Sequence, residues 1–334
     1  MGSEAVIVGA GVVGLSVAHE LSRAGHRVTV VSADVPGSRQ SAGLTRIFRL
    51  AHADGGLTQA AADSLALWEG WEREAGGPLL DRVGLLLTGD VADREIHLAA
   101  HGGVQHGTGA RHPLAVALER WAFEPTGAAI RAEDTIRFLQ ADVSLVLGEV
   151  AVADRDGVTL QGGERIGGDQ VVVCAGPDTY RLLGVPEPER MRSVRFSFAH
   201  REPPALRVPC WINRDETLCE PFYAVPDGPD HYSVGLSGGA PASVPEAVHI
   251  RESHGRVVSL VRHVFPELQP IAERAIACEY PLRASAPSPA QAHDGWDVLE
   301  QGGVLGVTGP ALFKFAPLLG RLLTGRVDRV GDGT

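Results

Sequence analysis

The stretch that most constrains this chain is the loop Gly9-Ala10-Gly11-Val12-Val13-Gly14, entered from the apolar run AVIVG and left as a helix. Glycine at position 9 gives a tight turn, at 11 lets backbone approach a pyrophosphate, and at 14 lets the helix pack closely on the strand. Phosphates then sit on the helix N-terminus, where orphan amides and the helix dipole favour an anion. Val13, Val17 and Leu21, four residues apart, supply a buried stripe, Gly25 ends the helix, and residues 27–31 (RVTVV) read as a second parallel strand. Strand, loop, helix and strand in this order predict a dinucleotide-binding βαβ unit. An acidic residue at the end of the second strand normally holds the ribose hydroxyls; Ser32 stands there, with Asp34 two residues later as the expected substitute.

With 334 residues and 44% hydrophobic content, the chain can fill two cores or one large one. A formal net charge of −11 argues against nucleic acid and anionic membranes, which bind basic surfaces, and favours a small-molecule substrate. No uncharged apolar stretch reaches the ~20 residues of a membrane span, and no basic leader pattern starts at Met1-Gly2-Ser3-Glu4, so a cytoplasmic monomer or small homo-oligomer is expected. Cys174, Cys210, Cys219 and Cys278 lack CxxC spacing and read as buried thiols. His101, His106 and His112, in HGGVQHGTGARH, read as a solvated loop, and no metal site is expected. Lys314 is the one lysine among 30 basic residues, which singles it out in a chain that otherwise uses arginine.

Further along, Arg46 and Arg49 stand three apart, a spacing that puts both guanidiniums on one face of a helix. Residues 58–74 predict an amphipathic helix with Trp68 and Trp71 in the core, and 83–88 a strand. Residues 131–140 predict a helix, 145–152 and 157–160 a hairpin, and 170–176 (QVVVCAG) a buried strand returning to the first sheet. From 191 to 278 the texture changes to short alternating strands (VRFSFAH, PCWIN, FYAVP, HYSVGLS), an antiparallel second domain. A strand at 303–307 and a helix at 312–323 close the chain. The expected fold class is α/β (α+β): a Rossmann-type domain over 1–80, 130–190 and 278–330, interleaved with a mainly antiparallel sheet domain over 81–129 and 191–277.

GAGVVG, TRIFR, FEPTGAAIRA, VVVCAG, the CEY triplet and FKF resemble the monomeric sarcosine oxidase and glycine oxidase branch of the D-amino-acid oxidase superfamily, over nearly the whole chain. The resemblance implies a Rossmann-type FAD-binding domain interleaved with a substrate domain. It also implies oxidation of a small amino acid or N-substituted glycine, with hydride passing to flavin N5, hydrolysis of the imine and reduction of molecular oxygen to peroxide. It makes Arg49 and Lys314 the substrate-carboxylate clamp, puts Arg46 close to the flavin, likens Arg283 to the carboxylate arginine of glycine oxidases, and adds Tyr223 to the catalytic set. Against FAD it places Gly9, Gly11, Val13, Gly14, Ser32, Asp34, Ser41, Thr45, Arg46, Val150, Ala175, Gly176, Cys278, Gly309, Leu312, Phe313 and Lys314, with the helix from Leu312 aiming its dipole at the flavin. Cys278 matches a cysteine that bonds the flavin through sulfur in sarcosine oxidases. The chain departs from that pattern at Ser233, where some members carry an oxygen-activating lysine, at Ala42, in place of a histidine, and at Ala311-Leu312. The departures leave two alternatives open: a flavin dehydrogenase or desaturase with another electron acceptor, and a dinucleotide-binding protein without catalysis.

Overall fold

The computed structural model describes residues 3–90, 92–288 and 291–331. Met1 and Gly2, where a leader was looked for, and positions 289–290 of the third predicted segment lie outside the described residues. Two compact units emerge: Met1–Ala42, Glu133–Arg190 and Glu279–Thr334 form the first, Gly43–Ala132 and Met191–Cys278 the second. Residues 43–80, grouped with the first in the sequence reading, pack within the second.

The first unit is built on six strands in the order Asp297–Gln301, Val304–Thr308, Gln170–Val173, Glu4–Val8, Arg27–Ser32 and Ser144–Leu147. All neighbours pair parallel except Asp297–Gln301. Val and Ile dominate because both faces are covered and β-branched side chains pack well on a pleated surface. Val6, Val8, Val31, Val171 and Val173 pack on Val150, Val158 and Leu160 of a small antiparallel sheet. Leu15, Val17 and Leu21 of the helix Val12–Arg23 are fully buried. The helix Ala316–Gly331 packs on it so closely that a side chain at Gly320 would strike Ser16, whose hydroxyl donates to Ala316 O at 2.5 Å.

Two expectations need correction here. Residues 145–147 belong to the parallel sheet, with only Val150–Asp154 and Gly157–Leu160 forming the hairpin. The last α-helix starts at Ala316; Leu312–Phe315 before it is one tighter 3-10 turn.

The second unit carries a large, mostly antiparallel sheet in the order Ala240–Pro241, Arg190–His200, His231–Leu236, Phe222–Pro226, Cys210–Asn213, Leu85–Thr88, Leu118–Glu124 and Gln105–Gly109, with Leu268–Pro281 also on Arg190–His200. Period-2 alternation sorts its faces. Val194, Phe196, Phe198, Trp211, Phe222, Ala224, Tyr232 and Val234 pack with Val257, Leu260, Val261 and Val264 of the helix Glu246–Val264. The opposite face carries Ser193, Arg195, Ser197, Ser233, Gly235 and Tyr223.

A smaller sheet joins Thr45–Phe48, Ala128–Arg131 and Leu80–Asp81. Arg46 therefore lies in a strand, with Arg49 just beyond it, and not on a helix face; the β-branched and aromatic residues of TRIF favour the extended chain, and the three-residue spacing loses its helical meaning. The helix Gly55–Ala75 starts with Asp54 accepting from Leu57 N at 3.0 Å and ends at Gly76 (φ 69°). Trp68 and Trp71 are buried in edge contact, ring centroids 5.1 Å apart.

His112 corrects the solvated-loop reading. It is 3% exposed, ringed by Trp211, Tyr232 and Phe265. Its Nδ1 accepts from Leu114 N at 3.3 Å, so Nε2 carries the proton and donates to Tyr232 Oη at 2.9 Å; that hydroxyl donates on to Pro209 O at 2.7 Å. Burial pushes its pKa down to about 3, so the ring is neutral. Cys174 and Cys210 are buried and their thiols are pushed up by desolvation, Cys174 to about 12; Cys219 and Cys278 are half-buried.

Candidate functional site

In the first unit, the parallel strands end together, so Ser32 ends a strand and Gly9, Asp34, Ala175, Gly176 and Gly309 follow strand C-termini of the same sheet. The chain runs from Glu4–Val8 to the neighbour on one side and later returns on the other, making the end of this strand the switch point where ligands of such sheets bind. Gly9 holds φ 105° beneath Cys174, whose carbonyl any side chain would strike, and a side chain at Gly14 would strike Gly9 O. Gly11 is different: a methyl there would meet only Ser41 Oγ, at 3.4 Å. The protein's own packing explains two of the glycines, and the third leaves open the approach that a pyrophosphate needs. Ser41, distant in sequence, accepts from Val12 N at 3.0 Å and completes the helix start. Ser32 Oγ donates to Asp34 O at 2.8 Å, while the Asp34 carboxylate accepts from Arg39 Nε at 2.6 Å. Gly176 O accepts from Thr308 Oγ1 at 2.7 Å. Val13 and Val150 are buried, the latter in the core below the sheet.

One turn beyond that edge, Ala311 takes the left-handed conformation (φ 55°) and starts the turn holding Leu312, Phe313 and Lys314. Lys314 is 3% exposed; its ammonium lies 3.3 Å from Asp294 Oδ1, donates to Ala311 O at 3.0 Å and sits 4.5 Å over the Phe315 ring. Arg283 meets the backbone of the same Asp294. Its Nη1 donates to Asp294 O at 3.1 Å and its Nε lies 3.7 Å from Asp297 Oδ1, whose carboxylate also accepts from Tyr180 Oη (2.6 Å) and Ala284 N (2.7 Å).

In the second unit, Arg49 donates to Ala51 O, and the two amides after it, Leu50 N and Ala51 N, donate to the buried Glu124 carboxylate at 2.7 and 3.0 Å. Burial drives the Glu124 pKa up, against these hydrogen bonds and the Arg49 charge. Glu124 thus positions the arginine, a role its place in FEPTGAAIRA does not announce. Thr45 Oγ1 faces Asp227 Oδ1 at 3.5 Å. Asp227 Oδ2 accepts from Ser197 (2.7 Å), Ser233 (2.9 Å) and Arg274 (3.0 Å), so Ser233 holds a carboxylate at the position of the expected lysine. Arg46, Tyr223, Cys278 and Arg195 form one electrostatic group: burial and the Arg195 charge push Arg46 down to about 10, and burial pushes the Tyr223 phenol up. Sequence reasoning missed Arg195; its signal was the polar register of the alternating run SVRFSF.

The family model described as FAD dependent oxidoreductase matches residues 4–326. No curated protein matches the chain. Among solved structures it is similar to NikD, "an unusual amino acid oxidase essential for nikkomycin biosynthesis", at 21% identity over 97% of this chain and 93% of that one, TM-score 0.81. It is similar to glycine oxidase from Geobacillus kaustophilus, at 18% identity over 98% and 95%, TM-score 0.77. It is also similar to L-proline dehydrogenase from P. horikoshii, at 17% identity over 98% and 94%, TM-score 0.74. At these identities the likeness is one of fold.

Proposed function

The chain belongs to the FAD dependent oxidoreductase family, and from that premise we propose that it oxidises the C–N bond of a small amino acid or N-substituted glycine, passing the electrons to dioxygen. FAD, when bound, supplies the two-electron acceptor for the hydride leaving carbon. The loop Gly9–Gly14, with its helix start and Ser41, takes the pyrophosphate; Ser32, Asp34, Ala175, Gly176 and Gly309 are the further contacts proposed in this unit. No thioether to Cys278 is proposed, because Ala42 replaces the neighbouring histidine; acid precipitation should leave the flavin in the supernatant.

The observation that carries the reading is Lys314. A buried ammonium is costly unless an anion faces it, and the chain's one lysine is kept buried just past the cofactor end of the sheet, already beside a carboxylate, that of Asp294. The substrate carboxylate is the proposed ligand of Lys314, whose charge fixes its orientation and so the presentation of the reacting carbon. The names of the similar structures, an amino acid oxidase, a glycine oxidase and an L-proline dehydrogenase, support an amino-acid substrate. Arg283, whose Nη1 donates to the backbone of the same Asp294, stands as the further candidate for the substrate carboxylate in this unit.

An anaerobic screen of amino acids and N-alkyl glycines for flavin bleaching tests the reaction. Lys314→Met should weaken substrates and carboxylate inhibitors by roughly 2–5 kcal/mol with FAD content unchanged; inhibitor binding as tight as in the parent overturns the assignment. Ser233 favours a second reading, in which another acceptor takes the electrons. Turnover without peroxide would select it.

A further inference from the structure

Lys314 and Asp294 form an ion pair whose two ends differ. The lysine side chain is 3% exposed and the aspartate side chain 21%, with 3.3 Å between Nζ and Oδ1. The cation is held out of water while its partner reaches the solvent boundary. The loop carrying Asp294 has little slack. Its Oδ1 also accepts from Gly295 N at 3.1 Å, its own amide donates to Gln291 O at 3.3 Å, and its carbonyl accepts from Arg283 Nη1 at 3.1 Å. A methyl at Gly309 would lie 2.5 Å from Gly295 O, and Trp296 packs on the Phe315 ring, centroids 5.0 Å apart. The loop and the turn that bears Lys314 are thereby fixed against each other, which separates this pair from the loose ion pairs of a surface.

We propose that Asp294 takes the substrate's amine in its charged form, so that the pair selects α-amino zwitterions over plain carboxylates. The argument is one of charge. Asp294 touches both cations considered for the substrate carboxylate, and Asp297 lies 3.7 Å from Arg283, so these contacts join two cations to two carboxylates. A carboxylate arriving alone gains the attraction of Lys314 but meets the Asp294 charge at nearly the same range, where the two effects are comparable. A molecule that also carries a cation brings an opposite charge for each member of the pair. Nζ and Oδ1 are close enough for a carboxylate and an amine borne on one carbon to face them together, which makes α-amino acids and N-alkyl glycines the matching class. The inference rests on the reading of Lys314 as the carboxylate ligand and deepens it.

The test compares matched ligands in the FAD-loaded protein, chemically reduced and kept anaerobic so that nothing turns over. N-methylglycine is paired with methoxyacetate and L-proline with tetrahydrofuran-2-carboxylate, each pair differing in an ammonium replaced by an ether oxygen. Affinities are read by calorimetry in the parent, Asp294→Asn and Lys314→Met proteins. Asp294→Asn should weaken the amino acid and tighten its ether partner, lowering the ratio of their affinities by about tenfold or more; a role in holding the loop alone would move both members of a pair the same way. Lys314→Met should weaken both. If Asp294→Asn shifts both in one direction or neither, the proposal is overturned while the Lys314 reading stands; both ligands unmoved by Lys314→Met would remove that reading and this one with it. A crystal of the reduced, loaded parent with L-proline gives a readout free of variants, the amine nitrogen being expected within hydrogen-bond distance of an Asp294 carboxylate oxygen. An amine placed elsewhere, or failure of both amino acids to bind the parent, overturns the proposal.

Discussion

In the first unit the groups suited to hold a ligand are main-chain amides and glycines at the ends of parallel strands, whereas in the second they are side chains standing on one face of an antiparallel sheet. The difference follows from how each sheet is covered. Apolar layers bury both faces of the first, so only the strand ends stay open. One helix and its aromatic layer cover a single face of the second, leaving the other for Ser193, Arg195, Ser197, Ser233 and Tyr223. A backbone-built site fails when an atom is added, and a side-chain-built site when one is removed.

The largest effect should come from the first kind. Gly14→Val places its first carbon against Gly9 O and should cost about 3 kcal/mol or more of stability, read from urea unfolding. Gly11→Ala meets only Ser41 Oγ at 3.4 Å and should change stability by less than about 1 kcal/mol, while FAD affinity, read by fluorescence titration, falls. Equal stability losses at the two positions would make the loop a packing device and remove the contrast.

The same contrast explains what the sequence discloses. The cradle is local: five residues of strand, three glycines and a helical stripe state it within one window, as does the return of QVVVCAG to the sheet. Side-chain sites need register, which comes from partners far along the chain. Arg195 gains meaning only once it stands opposite Gly235, forty residues on, and Glu124 only once it binds the amides after Arg49. Arg46 and Arg49 were misread because a three-residue spacing signals a shared face only if the segment is helical, and pairing with Ala128–Arg131 makes it a strand. The expected hairpin strand 145–152 takes in residues 145–147 because their true neighbour, Arg27–Ser32, lies more than a hundred residues earlier. Glycine-rich flanks made His112 look solvated, although its partner Tyr232 fixes it in the core.

His112 provides the next effect, on the covered face of the second sheet. Its folded-state pKa is depressed from 6.5 to about 3, so below pH 6.5 the unfolded chain takes up a proton that the folded one refuses. The stability it contributes is complete above pH 6.5 and is lost as the pH falls, by ~2 kcal/mol at pH 5. His112→Phe should be less stable at pH 8, for want of the hydrogen bonds to Leu114 and Tyr232, yet lose less on acidification. An unchanged slope in unfolding free energy between pH 8 and 5 would show that the ring is protonated in the fold.

The smallest effect probes the one place where the backbone-built unit breaks its own habit. Ala311 is the only non-glycine with positive φ among the described residues, and the left-handed conformation costs an L-residue roughly 1–2 kcal/mol. Glycine would remove that cost but lose about 0.5–1 kcal/mol more conformational entropy on folding. Ala311→Gly should therefore stabilise the protein by under about 1 kcal/mol. Strain of this kind persists when something requires it, and here the requirement is visible: Ala311 O receives the Lys314 ammonium at 3.0 Å and starts the turn that carries it. The glycine variant, with a looser backbone at that carbonyl, should unfold slightly later and bind carboxylate inhibitors several-fold more weakly. If it gains in both, Lys314 is positioned by Asp294 and the Phe315 ring alone, and the alanine does nothing a glycine would not do better.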